Sequence, residues 1–172
     1  RMWTAVELTR DVVIDVLDEK QQPILWLDVD SLVHKPLDIF DEFEDKSDVV
    51  LSTANGMLSG IKASPIYFNN NDNARKFLNT WIETTKKIKT ENANDFDHEP
   101  LFSVVGGYMK IINVGFVGPE YCIWPGHTNE NTFITMGLAD AESKKENLRK
   151  MGLSEDKIEW QSPGNNYENK VH

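Results

Sequence analysis

Four consecutive apolar residues, Ile24-Leu25-Trp26-Leu27, run without a break into Asp28-Val29-Asp30-Ser31. A short, bounded apolar run of this kind suits a strand buried on both faces. Before it, residues 3–19 place Ala5, Leu8, Val12, Val13, Val16 and Leu17 at helical spacing with charges between them, and Gln21-Gln22-Pro23 ends that pattern. A helix delivered straight into a buried strand is the start of a layered α/β arrangement.

The rest of the chain continues the alternation. Residues 36–44 carry Leu37, Ile39, Phe40 and Phe43 and predict a short helix. Asp48–Ser52 predicts a short buried strand, and Ile61–Phe68 an extended segment interrupted by Pro65. The run Asn69-Asn70-Asn71-Asp72 offers a cap to a helix bearing Ala74, Phe77, Leu78, Trp81 and Ile82. Residues 87–96 read as a polar loop. Asp97 is placed to cap a helix through Leu101, Phe102, Val104 and Val105, stopped by Gly106-Gly107. Tyr108–Asn113 and Phe133–Met136 read as strands, Ala139–Met151 as a polar helix ended at Gly152, and the last ten residues as frayed. The expected class is α/β with a mixed sheet.

Charge bounds the partners. The formal net charge is −10. So acidic a surface repels nucleic-acid phosphate and disfavours an anionic membrane, whereas a bound divalent cation would locally reverse the field. Cys122 is the single cysteine, which leaves no intramolecular disulfide and no cysteine metal cluster; it reads as a small buried hydrophobe. No apolar run approaches a membrane span, and no signal-peptide pattern or Asn-x-Ser/Thr sequon is present. These features favour a soluble protein of a reducing, cytoplasm-like compartment.

The chemistry concentrates at Asp28 and Asp30. In an α/β sheet, ligands gather beyond the carboxyl ends of strands. In an extended segment, residues two apart point to one side, so both carboxylates can face one cation. Two hard oxygen ligands, with substrate phosphates completing the shell, suit Mg²⁺ or Mn²⁺. Left unpaired, the two carboxylates would repel each other. The reaction such a cation assists is departure of a diphosphate. The plainer alternative is that both aspartates shape a turn, since a bare Asp-x-Asp is common.

The stretch Ile24-Leu25-Trp26-Leu27-Asp28-Val29-Asp30-Ser31-Leu32-Val33-His34-Lys35-Pro36-Leu37 resembles the Asp-x-Asp segment of nucleotide-diphospho-sugar glycosyltransferases with the GT-A fold. Leu58-Ser59-Gly60-Ile61 is similar to that family's Ser-Gly segment near the donor sugar. Tyr67-Phe68-Asn69-Asn70, with Ala74, Phe77, Leu78 and Trp81, resembles its strand and following helix. Asp97-His98-Glu99-Pro100-Leu101-Phe102 stands where the family places an acidic segment facing the acceptor. The likeness spans roughly residues 3–137. The Asn- and Lys-rich style is also similar to glycosyltransferase domains of large chlorella viruses.

The resemblance implies a GT-A type fold, a Rossmann-like mixed sheet flanked by helices, and a single catalytic domain over residues 1–172 that can be a fragment of a longer chain. It implies a nucleotide-sugar donor, most commonly a UDP-sugar, and a sugar or glycan hydroxyl acceptor. Asp28 and Asp30 would hold Mn²⁺ or Mg²⁺, with His127 as a further metal ligand. Asp28, Ser59 and Gly60 would contact the donor. Asp97 is the first candidate for the base of an inverting transfer, with His98 and Glu99 as alternates. Two departures stand out. Only 27 residues precede Asp28, so the family's N-terminal nucleotide-binding strand is missing or reduced, and Leu58 takes the place of an asparagine before Ser-Gly.

Each secondary candidate has a plainer role beside the chemical one. His127 lies in the loop Pro125-Gly126-His127-Thr128 and is otherwise a surface histidine. Gly60 is otherwise a turn glycine. His34 sits behind the motif or in solvent. Trp26 reads as core, while Trp124 could reach an acceptor. Lys86, Lys87 and Lys89 complement a helix end, and Lys144, Lys145 and Arg149 an exposed helix face. Two other functions compete: a phosphohydrolase of the haloacid dehalogenase type, which would place Gly-Thr where Ser31-Leu32 stand, and an inactive nucleotide- or glycan-binding module.

Overall fold

The structure is a computed structural model that describes residues 2–54, 56–91, 98–138 and 149. Helix α1 spans Met2–Lys20 and leads into strand β1, Ile24–Trp26, and β2, Leu32–Val33. A 3-10 helix, Asp38–Phe43, precedes β3, Val49–Thr53. A second 3-10 turn, Leu58–Gly60, opens β4, Ile61–Phe68. Helices α2, Asp72–Glu91, and α3, His98–Tyr108, follow, then β5, Val114–Val117, a third 3-10 turn, Pro119–Tyr121, and β6, Ile134–Thr135. The chain is therefore α/β with a mixed sheet.

The main sheet has the order β1-β4-β3-β5. Strand β4 is antiparallel to both β1 and β3, and β5 is parallel to β3. It follows that β1, β3 and β5 all point the same way, and that β4 begins where they end. Strands β2 and β6 form a separate antiparallel pair.

Two cores sandwich the sheet, and strand alternation assigns residues to each. Ile24, Trp26, Val49, Leu51, Ile66, Phe68, Val114 and Phe116 face the helices, where Val13, Leu17, Ala74, Phe77, Leu78, Trp81, Ile82, Leu101, Val104 and Val105 pack. Leu25, Val50, Tyr67 and Val117 face the other way, onto Phe40, Tyr121, Phe133 and Ile134. Strand β3 is buried along its whole length, as an inner strand covered on both faces should be.

Helix α2 follows its cap closely. The side-chain Oδ1 of Asn71 accepts the backbone N–H of Ala74 at 2.9 Å, satisfying one of the helix's orphan donors. The neighbouring Asp48 is buried, and its carboxylate accepts from the Asn113 backbone N–H at 2.8 Å, Asn71 Nδ2 at 2.8 Å and Asn73 Nδ2 at 3.3 Å. One carboxylate thus ties together the start of β3, the start of α2 and the approach to β5.

Several expectations need correction. The run Ile24–Leu27 is not a strand buried on both faces. Only Ile24–Trp26 forms a strand, half-buried at the edge of the sheet, where β4 is its one paired neighbour. Pro65 does not interrupt β4, which runs unbroken from Ile61 to Phe68 with a register shift against Leu51 and Thr53. Helix α2 continues to Glu91, into the segment expected to be loop. Gly106 and Gly107 do not stop α3, which reaches Tyr108: its buried face of Leu101, Val104 and Val105 outweighs the modest cost of helical glycine. The segment expected as a strand at Tyr108–Asn113 is instead the end of α3 at Tyr108 followed by a turn, and pairing with β3 selects Val114–Val117. The expected helix at 139–151, apart from Arg149, and the final ten residues lie outside the described residues.

Candidate active site at the carboxyl edge of the sheet

Because β1, β3 and β5 end on one side and β4 begins there, four chain segments arrive at a single edge. The first carries the aspartates. Beyond Trp26 the backbone turns rather than remaining extended, with the Ser31 N–H donating to the Asp28 carbonyl at 3.0 Å. The two-residue alternation that was expected to aim both carboxylates therefore does not apply; Asp28 and Asp30 are the first and third positions of a turn. Asp28 is exposed and Asp30 half-buried, so neither is sealed from solvent.

This turn is held at both ends. The Asp28 N–H donates to Ser64 Oγ at 2.9 Å, and the Asp30 carbonyl accepts the Leu138 N–H at 3.0 Å. Ser64 is itself completely buried, so Asp28 hangs from a fixed point in β4. Between the aspartates Val29 is fully exposed. Ser31 Oγ, on the residue that follows Asp30, is buried and has no hydrogen-bond partner.

The second and third segments join β3 to β4. Ala54 N–H donates to the Gly60 carbonyl at 2.8 Å, and Gly60 N–H to the Met57 carbonyl at 2.9 Å, closing a compact loop. Ser59 is exposed on this loop and Gly60 buried beneath it. Positive φ belongs to Gly56, Gly126 and Gly137 among the described glycines, so Gly60 is not there for a left-handed backbone. Two residues into β4, Lys62 places its ammonium 5.9 Å from the centre of the Trp124 ring. Its charge also reaches the Cys122 thiol, which burial pushes up and which the Ser52 hydroxyl and Lys62 pull back down.

The fourth segment follows β5. Cys122 is buried, as expected of a small apolar residue, and Trp124 is exposed. His127 N–H donates to the Trp124 carbonyl at 3.1 Å, with Gly126 at φ 87. That is the geometry in which Pro125 supplies the preset φ and Gly126 the positive one. His127 is exposed on this turn. Among the described residues no three His, Cys, Asp or Glu side chains are grouped to hold a metal ion, so His127 is not assembled with Asp28 and Asp30 into a three-ligand centre.

His34 belongs to the small sheet instead. Its Nε2 lies 2.7 Å from Thr135 Oγ1, and burial followed by the Lys35 charge lowers its pKa. Trp26 packs against the helix-side core as expected. Asp97 lies outside the described residues. His98 and Glu99 open α3, and that helix packs on β4 and on the Leu58–Gly60 turn, though their side chains also lie outside the described set. The sequence reading missed Lys62 and Ser64. The signal was their two-residue spacing just after Ser59-Gly60, but only the antiparallel placement of β4 brings that end to Asp28.

Among the described residues no helix is long and apolar enough to cross a membrane. No protein-family model matches the chain, and no curated protein matches it.

Proposed function

We propose that the chain is a metal-dependent glycosyltransferase domain of GT-A type, transferring a sugar from a nucleotide-diphosphate donor, most simply a UDP-sugar, to a hydroxyl acceptor. The observation that carries this reading is the placement of the Asp28–Asp30 turn at the sheet edge where α/β folds collect ligands, its Asp28 N–H held by the buried Ser64 of β4, the strand that follows the Leu58–Gly60 turn and carries Lys62. The sequence likeness to the Asp-x-Asp family supports it independently.

Asp28 and Asp30 suit a hard divalent cation such as Mn²⁺ or Mg²⁺, which accepts one or two protein carboxylates and completes its shell from substrate phosphates. The partnerless Ser31 Oγ fits the same environment, since it is a polar atom with hydrogen-bonding capacity left over beside them. Such a cation, when bound, neutralises the charge that develops on a departing diphosphate. The protein's own part is to hold Asp28 through Ser64, to supply the fixed positive charge of Lys62, and to offer the exposed Trp124 face to a sugar. Asp97, or failing it His98 or Glu99, is assigned the proton from the acceptor hydroxyl if the transfer inverts the anomeric centre.

Titration of UDP with and without Mn²⁺ tests the reading. Binding should be metal-dependent in the native chain and lost in Asp30→Ala, with the fold intact by circular dichroism. Phosphatase turnover without sugar transfer would instead support the hydrolase. Metal-independent UDP affinity that Asp30→Ala leaves unchanged would support a binding module.

A further inference from the structure

At the opposite, amino-terminal end of the parallel strands a cleft of about 540 Å³ opens beside β1. Its apolar wall is Pro23, Leu25, Leu37 and Phe40, and its charged groups are Asp38, Asp41 and Glu44. Among the described residues no lysine or arginine lines it.

The placement of the acids follows from the 3-10 helix Asp38–Phe43, which Glu44 caps. With three residues per turn, positions three apart eclipse. Asp38, Asp41 and Glu44 therefore form one stripe, while Phe40 and Phe43 form another that enters the core. At a rise of about 2 Å per residue, successive acids stand about 6 Å apart along the stripe. A single metal ion needs its ligands converged, and among the described residues no three such side chains are so grouped. An elongated cation matches the spacing instead.

A second, independent feature points into the same cleft. Tyr67 lines it and is 4% exposed, yet its hydroxyl is buried without a hydrogen-bond partner. Native structures seldom leave such a group unmet. The hydroxyl oxygen can accept an N–H, and burial, with Glu44, Asp41 and Asp45 adding to it, keeps the group neutral. Phe40 stacks on Tyr67 with ring centroids 6.2 Å apart, extending the aromatic wall.

We infer that this cleft binds a linear alkyl-polyammonium chain, its methylenes along Leu25, Leu37 and Phe40, its ammonium groups on the Asp38–Asp41–Glu44 stripe, and one N–H on Tyr67 Oη. The chemistry can come from a free polyamine or from neighbouring lysine side chains of a peptide. This site is separate from the Asp28–Asp30 edge and stands or falls without it.

Isothermal titration at low ionic strength with spermidine, putrescine, a Lys-Gly-Lys peptide, butylamine and MgCl₂ provides the test. Spermidine or the peptide should bind, the tighter of them naming the source, and each should outbind butylamine and Mg²⁺. Asp41→Asn and Glu44→Gln should each weaken binding about fivefold. Tyr67→Phe should weaken it about threefold without lowering the melting temperature, because the hydroxyl it removes is unpartnered. Asp15→Asn, on the exposed face of α1, and Asp30→Asn should leave it unchanged. No binding by either polyammonium probe overturns the proposal. So does equal weakening by Asp15→Asn, which would mean general counterion attraction, or loss of binding in Asp30→Asn alone.

Discussion

Replacing Asp48 with alanine should cost the protein about 3 kcal/mol. The estimate comes from three hydrogen bonds that end on one buried carboxylate, two at 2.8 Å and one at 3.3 Å. A hydrogen bond to a charged group contributes roughly 1.5–3 kcal/mol, and the long third bond adds little. Asn71 and Asn73 are half-buried and Asn113 is exposed, so water recovers part of what their donors lose, which argues for the lower end of the range. For a chain of this size about 3 kcal/mol corresponds to a fall in melting temperature of roughly 6–12 °C. Urea unfolding followed by far-UV circular dichroism measures the first quantity and differential scanning fluorimetry the second. Asn71→Asp sharpens the test. It keeps the oxygen that caps Ala74 but replaces the donor facing Asp48 with another acid. The pair Asp48→Ala and Asn71→Asp should couple in a double-mutant cycle by about 1–2 kcal/mol. An Asp48→Ala variant within about 0.5 kcal/mol of the native chain would refute the claim that this carboxylate ties β3, α2 and the entry to β5 together.

Three further outcomes follow from the same structure. A Cβ added at Gly115 would stand 2.7 Å from Ser47 Oγ and 3.0 Å from two Phe43 ring carbons, so Gly115→Ala should cost about 1–3 kcal/mol in urea unfolding. Tyr67 ionises near 10 in the unfolded chain but is pushed up to about 12 by burial, then by Glu44, Asp41 and Asp45. Its contribution is therefore fully present below pH 10 and lost as pH rises from 10 to 12; native stability should decline more steeply over that window than that of Tyr67→Phe, and parallel slopes would contradict the assignment. Cys122 is buried with its thiol pKa raised, so iodoacetamide at neutral pH should modify it at least about a hundredfold more slowly in the native protein than in urea, as read by mass spectrometry.

The proposed enzyme and the polyammonium cleft occupy opposite ends of one sheet, and β1 links them. Its carboxyl end runs into Asp28, and its Leu25 lines the cleft. The two sites also differ in how their acids are presented. Asp28 and Asp30 share a turn pinned by Ser64 and Leu138, whereas Asp38, Asp41 and Glu44 are strung along a 3-10 helix. The first arrangement suits a compact ion and a diphosphate, the second an extended cation.

Local pattern alone determined much of this protein. The period of Ala74, Phe77, Leu78, Trp81 and Ile82, the asparagine cap before them, and the apolar run Val49–Leu51 each specify their element because the information lies within one turn or one strand. The aspartate pair after an apolar run was equally visible as a candidate site. Tertiary structure decided the remainder. That β1 is a half-buried edge rather than a covered inner strand depends on its pairing with β4, and apolar content carries no record of sheet order. The competition between Tyr108–Asn113 and Val114–Val117 for strand identity was resolved by hydrogen bonding to β3, some 60 residues away in the chain. Ser64 meets Asp28 only because β4 runs antiparallel to β1 and starts where β1 ends. Side-chain periodicity is a property of the local backbone, whereas which strand ends share an edge is set by long-range pairing, and it is that pairing which places the residues of both proposed sites.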